Sequence, residues 1–316
     1  MKRIVSLILA VALCLGATLS LDSCKKEKDH YVVGIIQLAP HEALDAATRG
    51  FKDALTAKLE AAGKSVEFKF ENAQGDSNTC NTIVNTFVSS NVDLIMANAT
   101  AALAAAYNAT STIPILGTSI TEYGVALNIE NFNGTVGGNV SGTSDLAPLT
   151  TQAQMMIDTL GLKSGDKVGV IYCSNESNSL IQYNAVKALF EAEGITATAY
   201  TFSSTNELSA IVTQAASDCK AIYVPSDNTV ANNDTVVGTI CSENNIPVYT
   251  SYSSSICYAS LAIDYYDLGY KTGEMAADIL LGNKAMADVS VATLTPSVVY
   301  NEEICAALGI TVPSEN

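Results

Sequence analysis

From residue 30 onward the chain alternates short apolar runs with longer segments whose apolar residues recur every three or four positions. The first pattern suits buried strands and the second suits amphipathic helices. Strands are predicted at 31–36, 66–70, 93–97 and 113–117, with helices at 42–62, 79–89 and 99–108 between them. Gly63 stands where the first helix should stop, because glycine readily takes the left-handed conformation that closes a helix. The alternation then restarts. Helices at 150–160, 179–193, 206–217 and 228–244 interleave with strands at 167–172, 196–200, 221–224 and 247–250. A last stretch reads as a strand at 259–263, a helix at 265–281, an extended segment at 290–299 and a short helix at 301–308.

Such alternation implies βαβ units and parallel sheets. The fold class expected is α/β, with two doubly wound parallel-sheet lobes. The tail is too short for a third domain, so the economical path returns to the first lobe and finishes on the second. Three crossovers then form a hinge, expected near 140–143, 250–255 and 282–288. The glycine-rich stretch 134–142 suits a bend into the first of them. The expected division is 31–142 plus 255–284 for the N-terminal lobe and 143–254 plus 285–316 for the C-terminal lobe.

Ligands of such open sheets bind beyond the carboxyl ends of the strands. Polar residues cluster there in this chain. Gln37 follows the first strand, and His41 opens the next helix. Thr100 follows the third strand and Ser119 the fourth. In the second series Ser177, Asn178 and Ser179 follow one strand, Asp227 and Asn228 another, and Asp264 the late strand. Each of these also suits a helix cap or a turn. Together they make a cleft that can hold a zwitterion. Hydroxyls and helix N-terminal amides favour a carboxylate, and Asp227 or Asp264 can pair with an ammonium group. His41 either touches ligand or faces solvent. Tyr123 either stacks on an aromatic ligand or packs in the core.

The N-terminus adds a destination. Lys2 and Arg3 precede an apolar run from residue 4 to 19, which reads as a secretory signal over 1–23. The run is short for a membrane span, and Asp22 closes it. Leu21-Asp22-Ser23-Cys24 resembles a bacterial lipobox, which implies cleavage before Cys24 and lipid on its sulfur. Residues 24–30 then form a charged tether. Acyl chains would anchor the mature protein to a membrane surface outside the cytoplasm.

Charge narrows the partners. The chain carries 16 basic and 32 acidic residues. Losing Lys2, Arg3 and Asp22 with the leader brings the balance from −16 to −17. That speaks against nucleic acid, whose phosphates need basic clusters. Of eight cysteines, Cys14 and Cys24 belong to the leader and the lipid site. The other six are widely spaced with no C-x-x-C and are expected as buried thiols. No Cys–His cluster suggests zinc. No metal and no cofactor are expected. G-x-G-x-x-G after the first strand, Walker A and G-x-S-x-G are all missing, so an enzyme is not expected.

Several stretches together resemble the substrate-binding lipoproteins of bacterial ABC importers, tryptophan/tyrosine type. They are Val33-Gly34-Ile35-Ile36-Gln37 with His41-Glu42-Ala43-Leu44-Asp45 and Gly50-Phe51, Asn72-Ala73-Gln74-Gly75-Asp76, Asp93-Leu94-Ile95 through Ala99-Thr100, and Gly138-Asn139-Val140-Ser141-Gly142-Thr143-Ser144-Asp145. Tyr223-Val224-Pro225-Ser226-Asp227-Asn228-Thr229 and Asp264-Tyr265-Tyr266-Asp267-Leu268-Gly269 complete the set. The resemblance implies a type I periplasmic binding protein-like fold that closes on an amino acid, an aromatic one being favoured. It also implies docking on a membrane permease, with the protein expected as a monomer. It carries Gln37, Thr100, Ser119, Asn178, Ser179, Asp227, Asn228 and Asp264 into the ligand site. Glu122-Tyr123 departs from the Asp-Pro usual there, and Pro40 alters the approach to His41. Other expectations of the same fold are a nucleoside or sugar as cargo, or a tethered receptor that presents ligand to a membrane sensor.

Overall fold

The computed structural model describes residues 28–313. The signal segment, Cys24 and most of the tether lie outside the described residues. The first series runs β1 (His30–Gln37), α1 (Glu42–Ala61), β2 (Ser65–Asn72), α2 (Ser77–Ser89) and β3 (Leu94–Asn98). It continues with α3 (Thr100–Ala109), β4 (Ile115–Ile120), α4 (Tyr123–Ala126) and β5 (Val140–Ser144). The second runs α5 (Leu149–Leu160), β6 (Lys167–Cys173), α6 (Ser177–Ala192), β7 (Thr196–Phe202), α7 (Thr205–Asp218) and β8 (Ala221–Val224). It continues with α8 (Asn228–Ala231), α9 (Asp234–Glu243), β9 (Val248–Thr250) and β10 (Ala259–Ala262). The chain ends with α10 (Tyr265–Leu280), β11 (Ala292–Thr293), β12 (Ser297–Tyr300) and α11 (Glu302–Leu308).

The two sheets repeat one plan. The first is ordered β11-β5-β4-β3-β1-β2 and the second β12-β10-β9-β8-β6-β7. Neighbours run parallel except β10 and β12. Strands covered on both faces must be apolar throughout, and β3 and β4 are buried along their whole length. Each sheet has a core on both faces. Val33, Ile35, Phe51 and Leu94 pack on one side of the first sheet, and Ile36, Ile95, Phe87 and Ile115 on the other. Helix starts follow local chemistry: Asp76 accepts from the amides of Asn78 and Thr79 to cap α2, and Ser204 with Glu207 forms a capping box on α7.

The crossovers fall later than the sequence places them. Residues 140–144 are a strand, so the first crossover begins at Asp145. β10 was expected in the first lobe, yet it pairs with β9 and β12 and completes the second sheet. The second crossover therefore follows Ile263, and α10 returns to the first lobe. The segment 290–299 splits: β11 joins β5 in the first sheet, and β12 joins β10 in the second. The third crossover lies at 294–296. Apolar patterning marks a strand but does not say which open sheet edge will take it. By sheet pairing, 255–263 belong to the second lobe and 285–293 to the first, which corrects the expected division.

Close helix packing holds α10 on α1. A Cβ on Gly269 would stand 1.9 Å from Ala47 O, and one on Gly50 2.0 Å from Tyr266 O. Only glycine allows the backbones this near. From this contact an apolar seam runs between the lobes, joining Ala43, Ala46, Ala47 and Leu268 to Val230, Tyr252 and Ile263. The six remaining cysteines are free and buried. Burial pushes the Cys80 thiol up to about 11 and Cys241 up to about 12. Among the described residues no helix is long and apolar enough to cross a membrane.

Candidate ligand site

The strand ends of the two sheets line a cleft of about 810 Å³. On the first lobe's wall Leu38, Ala39, Ala101, Ala104 and Ala105 make an apolar patch beside the polar Gln74, Asp76, Asn78 and Thr100. Glu176, Asn178, Ser204, Asn228 and Thr229 make the second lobe's wall polar. A smaller cavity of about 10 Å³ lies at the crossovers. His41, Ser119, Thr121 and Asp145 border it from one side, and Asn178, Ser226, Asp227, Asn228 and Tyr252 from the other, with Tyr265 between. Asn178 and Asn228, both of the second lobe, line the larger cleft and the small cavity alike.

A dense hydrogen-bond network fixes the second lobe's side. Asp227 Oδ2 accepts from Cys173 N and Ser179 Oγ, each at 2.8 Å, and its Oδ1 accepts from Val230 N at 2.8 Å. Glu176 Oε1 accepts from the amide and hydroxyl of Thr229, both at 2.8 Å. Its Oε2 accepts from Asn228 N at 2.9 Å, Asn228 Nδ2 at 2.7 Å and Asn178 Nδ2 at 3.2 Å. Asn178 Nδ2 also reaches Ser226 O at 2.7 Å. Burial, and then the charge of Glu176, hold the Asp227 carboxyl well above the usual carboxylate range.

His41 bridges the lobes. Asn228 gives its amide nitrogen to Glu176, so its Oδ1 faces His41 Nε2 at 3.3 Å. The imidazole therefore donates from Nε2. Burial lowers the His41 pKa, against the Asn228 bond and the charges of Glu176 and Asp45. At neutral pH the ring is uncharged and adds no cation to the site.

The first lobe's side differs in being unsatisfied. Ser119 sits at a bulge where the β4–β5 register shifts, with φ of +57°. A serine held in the left-handed region is strained, and its buried hydroxyl has no hydrogen-bond partner. Asp145 is 4 % exposed. Its Oδ2 accepts from Tyr265 Oη at 2.7 Å, and Oδ1 has no partner. Burial raises its pKa, opposed by the Tyr265 bond, Thr121 and its own amide.

The residues expected in the site divide. His41, Ser119, Asn178, Asp227 and Asn228 meet at the small cavity. Thr100 and Ser177 line the larger cleft. Ser179 stands behind, holding Asp227. Gln37 is spent inside the first lobe, donating to Ala39 O and Asp45 Oδ1 and accepting from Thr48. Tyr123 is 1 % exposed, and its hydroxyl donates to Gly117 O and Thr143 O. It packs in the core of the first lobe. Asp264 is exposed and caps α10 through Asp267 N, so it takes no place in the cavity. The next residue, Tyr265, does. Glu176, Asp145, Thr121, Ser226, Tyr252 and Tyr265 were not among the residues expected in the site, although Asp145, Ser226 and Tyr265 stand in the stretches that carry the resemblance. Recognising β5 would have made Asp145 a strand-end residue like Asp227.

Two parallel-sheet lobes, three crossovers and a cleft walled by both define a bilobal binding protein of the type I periplasmic kind. The chain belongs to the ABC transporter substrate binding protein family, whose model matches residues 32–315. Members are extracytoplasmic and work with a membrane permease. A tyrosine-binding protein of Clostridioides difficile is 36% identical over 291 residues, covering 90% of this chain and 81% of that protein. An ABC domain from Streptococcus pneumonia, solved in complex with L-Trp, has a TM-score of 0.80 at 32% identity, over 89% of this chain and 96% of that one. The ligand-free, open structure of a substrate-binding protein with adhesive properties from Clostridium difficile has a TM-score of 0.66 at 34% identity, over 90% and 96%.

Proposed function

We propose that this protein captures an aromatic L-amino acid, tyrosine or tryptophan, between its lobes and delivers it to the permease of an ABC importer. It binds and releases without chemical change and acts as a monomer tethered by lipid on Cys24. The observation that carries the reading is the wall drawn from both lobes, with His41 and Asn228 bonded across it. A ligand that touches both walls stabilises the closed arrangement, because closure follows differential affinity for the two states. The apolar patch of Leu38, Ala39 and Ala101 suits an aromatic side chain. The helices α1, α3 and α6 start at or beside the cleft without a side-chain cap, so their amides favour a carboxylate. The names and ligands of the relatives agree with an aromatic cargo. Asp227 serves as scaffold in this reading, since three donors of its own lobe already occupy its carboxylate.

Titration calorimetry with the twenty amino acids, nucleosides and common sugars tests it. Binding restricted to tyrosine, tryptophan and phenylalanine is the expected result. Binding of a sugar or nucleoside alone would overturn the cargo. Globomycin-sensitive processing and metabolic labelling with palmitate test the lipid on Cys24, and an unlabelled Cys24→Ala variant is expected.

A further inference from the structure

Among the described residues, five buried side-chain atoms lack a hydrogen-bond partner: those of Asn98, Ser119, Ser141, Asp145 and Tyr258. Two of the five residues, Ser119 and Asp145, border the same small cavity. An unpaired buried carboxylate oxygen is costly, more so than an unpaired hydroxyl. No lysine or arginine counters the Asp145 charge, and His41 on the same wall of the cavity is held neutral by burial. Of the other acids nearby, Asp227 borders the cavity from the second lobe and Glu176 stands behind it in the larger cleft. The cavity thus collects carboxylates and lacks a cation. Its volume of about 10 Å³ suits one group the size of a water molecule. A primary ammonium is of that size, carries the missing charge and brings three donors.

Asp145 also has a particular place in the chain. It is the first residue after β5, where the chain first leaves the first lobe. Tyr265, which donates to it at 2.7 Å, opens α10 just after the second crossover. One carboxylate therefore ties two of the three hinge segments together, borders the cavity and keeps one oxygen without a partner.

Resting on the amino acid reading above, we propose that Asp145 Oδ1 receives the ligand's ammonium group, and that the Asp145–Tyr265 pair makes this capture a hinge event. The ammonium enters the small cavity and the rest of the ligand lies toward the larger cleft. Ser119 supplies a hydroxyl to the same group or to the adjoining carboxylate. Discrimination against ligands without an ammonium then comes from the cost of leaving Asp145 buried and unpaired.

The test is calorimetric titration of the purified processed protein with L-tyrosine and with 3-(4-hydroxyphenyl)propanoate, which lacks the ammonium. Wild type should prefer L-tyrosine by about 100-fold, as loss of a partner to a buried charge implies. Asp145→Asn should bring the two ligands to within about threefold, mainly by weakening L-tyrosine. Its melting temperature without ligand should equal or exceed that of wild type, because the uncompensated charge has gone. Asp145→Ser is the second variant, with the same expected loss of preference, should the amide disturb folding. Tyr265→Phe should weaken both ligands alike, and an affinity equal to wild type would overturn the hinge role. A retained 100-fold preference in Asp145→Asn would overturn the ammonium assignment alone. No binding of any amino acid by wild type would overturn the cargo itself, and the assignment with it.

Discussion

His41 Nε2 lies 3.3 Å from Asn228 Oδ1, and this bond joins the start of α1 in one lobe to the start of α8 in the other. It exists only when the lobes are together, so it biases the open–closed equilibrium without being part of either lobe's stability. Asn228→Ala should reduce ligand affinity about 3- to 10-fold, the range of one net hydrogen bond. Small-angle scattering of the variant should show a larger mean radius than wild type.

Protons act on the same bond. Burial lowers the His41 pKa, so between that value and the ordinary value of about 6.5 the unfolded chain binds more protons than the folded one. The stability linked to a neutral His41 is present above that window and is lost as pH falls through it. His41→Gln should remove this slope. Comparing urea midpoints of variant and wild type from pH 8 to pH 5 reads it directly, and a pH-independent difference would refute the neutral imidazole.

Ser179 is a support residue, and its removal should act on stability first. The Ser179 hydroxyl is one of three donors to the buried Asp227 carboxylate. Ser179→Ala leaves that oxygen one donor short and should cost about 1–3 kcal/mol. Denaturant unfolding measures the loss. Affinity for the ligand should follow only as far as the Asp227–Asn228 turn shifts.

Tyr123 separates the two uses a sequence can suggest for a tyrosine. Its hydroxyl is held by Gly117 O and Thr143 O at 3.1 Å, away from both cavities. Tyr123→Phe should lower stability by about 1 kcal/mol and leave the affinity for an aromatic amino acid within about twofold. A large affinity loss at unchanged stability would mean that Tyr123 contacts the ligand.

The contact between α1 and α10 is the least forgiving place in the first lobe. A methyl group on Gly269 would fall inside the carbonyl of Ala47. Gly269→Ala should therefore cost about 2–3 kcal/mol through forced separation of the helices. Thermal unfolding checks it. Gly282→Ala, where no atom lies within 4 Å of an added Cβ but φ is +74°, carries backbone strain without crowding and should cost less, about 1 kcal/mol.

Much of the fold was legible because local rules decide it. Periodicity marked most strands and helices to within a few residues, and Gly63 and Gly194 stand at helix ends with positive φ. The predicted helix at 228–244 was one element too few. Asn232 and Asn233 interrupt it, and Asn233 begins α9. β5 was read as part of the first crossover because the glycine-rich stretch 134–142 suggests a bend. Gly142 is there instead for closeness, since a Cβ would meet Gly117 O at 2.0 Å and the Tyr123 hydroxyl at 2.3 Å. The candidate cavity was legible at the strand ends the sequence revealed, as with Asp227 and Asn228, which border it. It was illegible where the strand itself went unseen, as with Asp145. Asp264 lies outside the cavity for another reason: a capping carboxylate and a cavity-lining one look alike until the helix is oriented.

The split tail has a consequence for the order of synthesis. α10 and β11 complete the first lobe only after the whole second α/β series has been made, and β12 then closes the edge of the second sheet. The first half cannot reach its final form until Ala292–Thr293 has emerged, nor the second until Ser297–Tyr300 has. A chain that must cross a membrane before folding gains from this, because the interlocked tail delays completion of both halves until nearly all of it has passed through.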